Sequence, residues 1–138
     1  MGRILVVDDS KMFRMLASAP LTEAGHTVLA VDPLSIFEVL KALYAFNPDL
    51  VLTDYWMPDC NGETLVKVIR EDPNFHNVKI LVCSSHGEEP LVERMGQLHI
   101  NGYILKGKGM QNLVERTEQL IGLPEGTHTV LKDLDPAN

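Results

Sequence analysis

Short apolar runs recur five times along the chain: ILVV at 4–7, TVLAV at 27–31, DLVLTD at 49–54, VKILVCSS at 78–85 and GYILK at 102–106. They are mostly near-continuous rather than alternating, the pattern of strands buried on both faces of a parallel sheet. Between them apolar residues fall at helical spacing: Ile36, Leu40 and Leu43; then Leu65, Val68 and Ile69; then Met110, Leu113, Val114, Thr117, Leu120 and Ile121. Each set lines one helix face. Ser10 is placed to cap the first helix, and Asp32 followed by Pro33 predicts a cap residue ahead of a proline at the first helical position of the second. Pro20 falls inside the first helix, where its missing N–H predicts a kink or a shortened helix. A fourth helix, roughly 88–98, contains Pro90 and Gly96 and has the weakest pattern. Met12, Met15 and Met95 read as packing residues.

The order is therefore (βα)5. Strands alternating with helices require right-handed crossovers and helices on both faces, which makes a doubly wound α/β sheet. The pattern predicts one domain over residues 1–122 and a short, polar, partly disordered tail over 123–138, too short for an effector domain. In such sheets ligands bind beyond the carboxyl ends of the strands.

Composition narrows the class. A chain of 138 residues with 45% hydrophobic content fills one core. A net charge of -7 argues against a nucleic-acid or membrane surface and leaves a protein or small ligand as partner. Two cysteines, Cys60 and Cys83, are too few for a disulfide framework, and Cys83 in its apolar run reads as a reduced, buried thiol. With no apolar stretch of about 18 residues and no signal-like start, the expected location is cytoplasmic.

The strand ends carry the chemistry: Asp8 and Asp9 after the first, Asp54 after the third, Ser84 at the end of the fourth and Lys106 after the fifth. Adjacent carboxylates at the mouth of a buried strand repel each other and resist desolvation, so they need a cation or hydrogen-bond donors. On their own they would serve equally as a cap and a turn. Three carboxylates without histidine or cysteine form a hard-oxygen site suited to Mg2+ or Mn2+ rather than Zn2+. Lys106 adds a fixed cation and Ser84 a hydroxyl, and together these groups complement a phosphoryl group. A carboxylate such as Asp54 is then placed to act as nucleophile on a phosphoryl donor.

These residues resemble the receiver domains of bacterial response regulators, most closely the single-domain chemotaxis type. The resemblance covers about residues 3–121 and rests on ILVVDDS, PDLVLTDYWMPDCNG, ILVCSS and NGYILK in that order and spacing. It implies a flavodoxin-like, CheY-like sheet with strand order 2-1-3-4-5. It also implies phosphorylation at Asp54 by a sensor histidine kinase or phosphotransfer protein. Asp9, Asp54 and the Trp56 carbonyl would bind Mg2+, with Asp8 reaching the metal through water. Ser84 and Lys106 would contact the phosphoryl group, with Ser85 the substitute for Ser84 one residue on. Ser84 and the aromatic Tyr103 would form the switch, reshaping a protein-binding face made of the fourth helix, fifth strand and fifth helix. Trp56 and His86 occupy the positions that overlook the site and influence phosphate lifetime.

By the same resemblance the chain is a monomer or a phosphorylation-dependent dimer. It is not an enzyme beyond catalysing its own phosphorylation and dephosphorylation. Gly107 follows Lys106 where the family usually has proline, a departure that bears on the loop's geometry and on how tightly Lys106 is held. Two rival readings remain at this level: a receiver-like interaction module independent of phosphate, and an aspartyl-phosphate phosphatase or phosphotransferase. Against the second, no Asp stands two residues after Asp54 as a general acid, and no cap domain is present.

Overall fold

A pleated strand sends alternate side chains to opposite faces, so a continuous apolar run needs cover on both sides. The computed structural model describes residues 1–75, 77–85, 89–123 and 131–133, with 89–92, 108, 109 and 131–133 described as backbone. It provides that cover with alternating elements: β1 (Arg3–Val7), α1 (Lys11–Glu23), β2 (Thr27–Val31), α2 (Ile36–Phe46), β3 (Leu50–Thr53) and α3 (Gly62–Glu71). These are followed by β4 (Lys79–Ser84), α4 (Glu89–Gln97), β5 (Gly102–Leu105), a 3-10 turn (Lys108–Asn112), α5 (Leu113–Ile121) and β6 (Leu131–Asp133). The sheet is parallel throughout, in the order β2-β1-β3-β4-β5-β6. The expected order 2-1-3-4-5 is thus present, and β6 extends it, pairing Gly102 with Leu131 and Ile104 with Asp133.

The alternation divides the core in two. Ile4, Val6, Leu50, Leu52, Leu81, Cys83 and Ile104 pack with Phe13, Ala17 and Leu21 of α1 and Leu113 and Leu120 of α5. Leu5, Val7, Val51, Ile80, Val82 and Tyr103 face the other way, onto Val39 and Leu43 of α2, Leu65, Val66 and Ile69 of α3 and Met95 of α4. Full burial of one such side chain is worth roughly 1.5–3 kcal/mol. At the amino-terminal end of the sheet Arg70 ties α3 to the strands. It donates to the carbonyls of Val78 at 2.7 Å and His99 at 2.9 Å and to Asn101 Oδ1 at 2.8 Å. Burial lowers its guanidinium to about 10.

Several local expectations change. Ser10 caps α1 as expected, its Oγ accepting from the Phe13 amide at 3.1 Å. The cap of α2, however, is Ser35, accepting from the Glu38 amide at 3.2 Å. Asp32 and Pro33 precede the helix instead of opening it, and Pro33 is buried. Pro20 does not shorten α1, which continues to Glu23; the proline forfeits one amide bond, yet its own carbonyl still accepts from the Ala24 amide at 3.0 Å and the helix runs on past it. Pro90 falls in the first turn of α4, where an amide has no intrahelical acceptor, so the helix forms. Met12 and Met15 are not packing residues: they are 72% and 63% exposed, because α1 buries the Phe13, Ala17, Leu21 face. Met95 is buried as expected. Among the described residues no helix is long and apolar enough to cross a membrane.

The two cap positions separate in a stability measurement. Ser35→Ala is expected to cost about 0.5–2 kcal/mol. Asp32→Ala should stay within about 0.5 kcal/mol of the parent. Urea unfolding midpoints check both, and the reverse ranking would return the cap to Asp32.

Candidate functional site

In a parallel sheet the carboxyl ends of all strands share one edge, and register decides which residues meet there. Val7 pairs with Thr53, so the residues that follow, Asp8 and Asp54, lie side by side. The Asp54 amide donates to the Val7 carbonyl at 3.2 Å, continuing the ladder. Ser84 pairs with Leu105, and the Lys106 amide donates to the Ser84 carbonyl at 2.8 Å. Lys106 Nζ then closes the arrangement, 2.8 Å from Asp8 Oδ2 and 3.1 Å from Asp54 Oδ2. It also lies 4.3 Å from the centre of the Phe13 ring.

Backbone groups orient the two carboxylates. Asp8 Oδ1 accepts from the Ser10 amide at 2.8 Å, while Arg14 Nη1 donates to the Asp8 carbonyl at 2.7 Å. Asp54 Oδ1 accepts the amides of Tyr55 at 2.7 Å and Trp56 at 3.3 Å. Burial pushes the Asp8 carboxyl above its ordinary value, a rise that Lys106 and the Ser10 amide oppose without cancelling. Burial alone would lower the Lys106 ammonium, but the hydrogen bonds to Asp8 and Asp54 outweigh it and the net shift is upward. Lys106 is therefore a fixed positive charge at neutral pH. Cys83 nearby is inert, its thiol pushed up to about 12 by burial, and both cysteines are free and buried.

Asp9 is exposed and completes an acidic group. One oxygen from each of Asp8, Asp9 and Asp54 lies within 4.8 Å of the others. The donors are all oxygen, and three carboxylates against one ammonium leave negative charge in excess, a set that fits Mg2+ or Mn2+.

The loop after β3 is held by a close approach at Gly62. A Cβ there would lie 2.6 Å from the Asp54 carbonyl oxygen and 2.7 Å from the Tyr55 Cα, so only glycine lets α3 start against this loop. The Tyr55 hydroxyl donates to Glu63 Oε2 at 3.1 Å, and Glu63 Oε1 accepts from Arg94 of α4 at 2.7–2.8 Å.

The structure thus brings together Asp8, Asp9, Asp54 and Lys106. Ser84 is fully buried at the end of β4, while Ser85 is exposed in the bend beyond it. Tyr103 is fully buried in the core facing α2, α3 and α4, and the Trp56 side of the site is open, with that residue 54% exposed. His86 lies outside the described residues. Gly107 takes φ +84°, which proline cannot adopt, and the hold on Lys106 comes from Asp8, Asp54 and Phe13 rather than from the loop. Phe13, Arg14 and the Tyr55–Glu63–Arg94 contacts were not read from the sequence. The one available signal was the position of Phe13 and Arg14 on the first turn after the paired aspartates.

Comparison with known proteins agrees with this geometry. The family model described as "Response regulator receiver domain" matches residues 4–118. A chemotaxis protein CheY homolog of Campylobacter jejuni is 32% identical over 128 residues, covering 90% of this chain and 95% of that protein. Hybrid signal transduction histidine kinase D of Dictyostelium discoideum is 27% identical over 98% of this chain, which spans 8% of its length. Among solved structures, chemotaxis response regulator CheY4 of Vibrio cholerae shares the fold, with a TM-score of 0.78 at 22% identity over 87% of this chain and 98% of that one.

Two substitutions test the site's construction. Gly62→Ala forces backbone apart and is expected to cost about 1–3 kcal/mol in urea unfolding, with the Tyr55 and Trp56 amide resonances shifting. For Asp8, the raised folded value means that this group's contribution to stability is fully present below its ordinary value of 3.8 and is lost as pH rises through the folded value. In metal-free buffer Asp8→Asn is therefore expected to gain roughly 0.5–2 kcal/mol at pH 7, a gain that vanishes on acidification. A loss at pH 7 would show that the ion pair with Lys106 outweighs burial.

Proposed function

The chain belongs to the response regulator receiver domain family, and from that premise we propose that it works as a phosphoacceptor switch in two-component signalling. It takes a phosphoryl group onto Asp54 from a sensor histidine kinase or phosphotransfer protein and signals to a protein target through the face of α4, β5 and α5. The observation that supports this most is the Lys106 ammonium 3.1 Å from Asp54 Oδ2, beside the carboxylates of Asp8 and Asp9.

In the proposed step an Asp54 carboxylate oxygen attacks the phosphorus of a phosphohistidine. The P–O bond forms as the P–N bond breaks, and the departing imidazole keeps the electron pair and takes up a proton. Lys106 balances charge on the phosphoryl oxygens, and the amides of Tyr55 and Trp56 keep the carboxylate oriented. Asp8, Asp9, Asp54 and the Trp56 carbonyl would hold Mg2+, which when bound supplies further charge neutralisation at the phosphoryl oxygens. Ser84 supplies a hydroxyl to the phosphoryl group, and Tyr103 responds to it. Because the same phosphoryl group must favour one arrangement of the output face over another, the switch is a population shift. Trp56, half exposed over the site, shields the acyl phosphate from water.

Trp56 is the single tryptophan and reports directly. Its fluorescence is expected to change with Mg2+, then again with beryllofluoride in a metal-dependent step that Asp54→Asn abolishes. Mass spectrometry should show one added phosphoryl group from a small-molecule donor. No metal response and no adduct would favour the phosphate-independent interaction module. Once phosphorylated, Trp56→Ala should lose its phosphoryl group faster than the parent, and an unchanged half-life would remove the shielding role.

A further inference from the structure

We propose that Phe13 is a positioning residue for Lys106, its ring face keeping the ammonium at the site when Asp8 and Asp54 turn to other partners. The inference rests on the phosphoacceptor reading, and it starts from how little else fixes this lysine. Lys106 follows β5 directly, and the next residue, Gly107, has φ +84° and open space where a Cβ would be. The backbone itself is tied, the Lys106 amide to the Ser84 carbonyl at 2.8 Å and the Gly107 carbonyl to the Met110 amide at 3.1 Å, so it is the long side chain that the ring has to hold.

Among the described residues three side chains meet the ammonium: Asp8 at 2.8 Å, Asp54 at 3.1 Å and the Phe13 ring at 4.3 Å from its centre. The two carboxylates belong to the acidic group that fits a divalent ion, and Asp54 is the proposed phosphoacceptor, so loading the site changes both contacts. The ring does neither. Its attraction for a cation comes from the quadrupole of the π face, which neither titrates nor ligates, and it strengthens where water is reduced. Those conditions are met: Phe13 is 7% exposed, and the Lys106 side chain is 20% exposed. The ring is also rigidly placed. It sits in the first turn of α1, its amide donates to the Ser10 hydroxyl, and it packs with the core of Ile4, Val6 and Ala17. Ser10 in turn donates its amide to Asp8, so one cap fixes both the carboxylate and the aromatic side of the lysine's surroundings.

The test replaces Phe13 in the full chain with mono-, di- and trifluorophenylalanine, which weaken the ring face stepwise with little change in shape. Phosphorylation by acetyl phosphate with Mg2+ is expected to slow stepwise, about 2- to 30-fold across the series, with unchanged thermal midpoints. Phe13→Trp should retain the rate while Phe13→Leu loses it. A second readout does not depend on phosphorylation: the Lys106 methylene protons next to Nζ should show an upfield ring-current shift in the metal-free protein and keep it after Mg2+ alone and after Mg2+ with beryllofluoride. Equal rates across the fluorinated series, or loss of the upfield shift on adding Mg2+, would overturn the role of Phe13. If the parent protein takes up no phosphoryl group, the phosphoacceptor reading fails, and the ring-current shift with and without Mg2+ still decides the inference.

Discussion

The contact on which the site depends is one ammonium between two carboxylates. Lys106 follows β5, Asp8 follows β1 and Asp54 follows β3, so this ion triad draws three strand ends to one point. Each charge alone would be costly where it lies, since Asp8 is fully buried and Asp54 nearly so. Removing Lys106 would leave both carboxylates uncompensated, whereas removing Asp8 still leaves Lys106 paired with Asp54. Arg70 at the other end of the sheet makes the contrast. Among the described contacts its guanidinium meets two backbone carbonyls and an amide oxygen, which are neutral acceptors. The carboxylates around Lys106 are acceptors of a different kind, because they are charged and a second cation can compete with Lys106 for them.

That difference explains why the two ends of one sheet serve different purposes. The amino-terminal end is tied by neutral hydrogen bonds that satisfy a buried guanidinium and lock α3 onto β4 and β5. The carboxyl-terminal end keeps more negative charge than Lys106 balances, and burial holds the Asp8 carboxyl above its usual range. An end built in this way is poised for a positive ligand. The core between them makes the imbalance tolerable, since β1, β3 and β4 are buried on both faces for almost their whole length.

Much of this was legible in the residues. Four of the five apolar runs gave strands buried on both faces for most of their length, where no polar face blurs the limits, while the run TVLAV became the part-exposed edge strand β2. Asp8, Asp9, Asp54 and Lys106 were legible because they directly follow those runs, and a parallel sheet collects such positions at one edge. The misreadings have physical causes. Asp32 with Pro33 and Ser35 with Glu38 are both sound helix starts, and the burial of Pro33, a tertiary fact, places the start at the second. In α1 apolar residues occur on more than one face, so periodicity alone did not separate buried Phe13, Ala17 and Leu21 from exposed Met12, Met15 and Leu16. The close approach at Gly62 and the ring beneath Lys106 are distances between segments, which no local pattern encodes. The strand at 131–133 lacks an apolar run, and its pairing comes from lying beside β5.

The pleat has one more consequence. Tyr103 and Lys106 are three residues apart on β5 and the turn that follows, an odd separation, and they face opposite halves of the core: Tyr103 the wall of α2, α3 and α4, Lys106 the Phe13 side with α1 and α5. The sheet is thus a partition as well as a scaffold. One short strand presents side chains to two compartments at once, an ammonium to the ion triad at the edge on one side and a buried aromatic ring to the apolar wall on the other. Parity along the backbone sets that division.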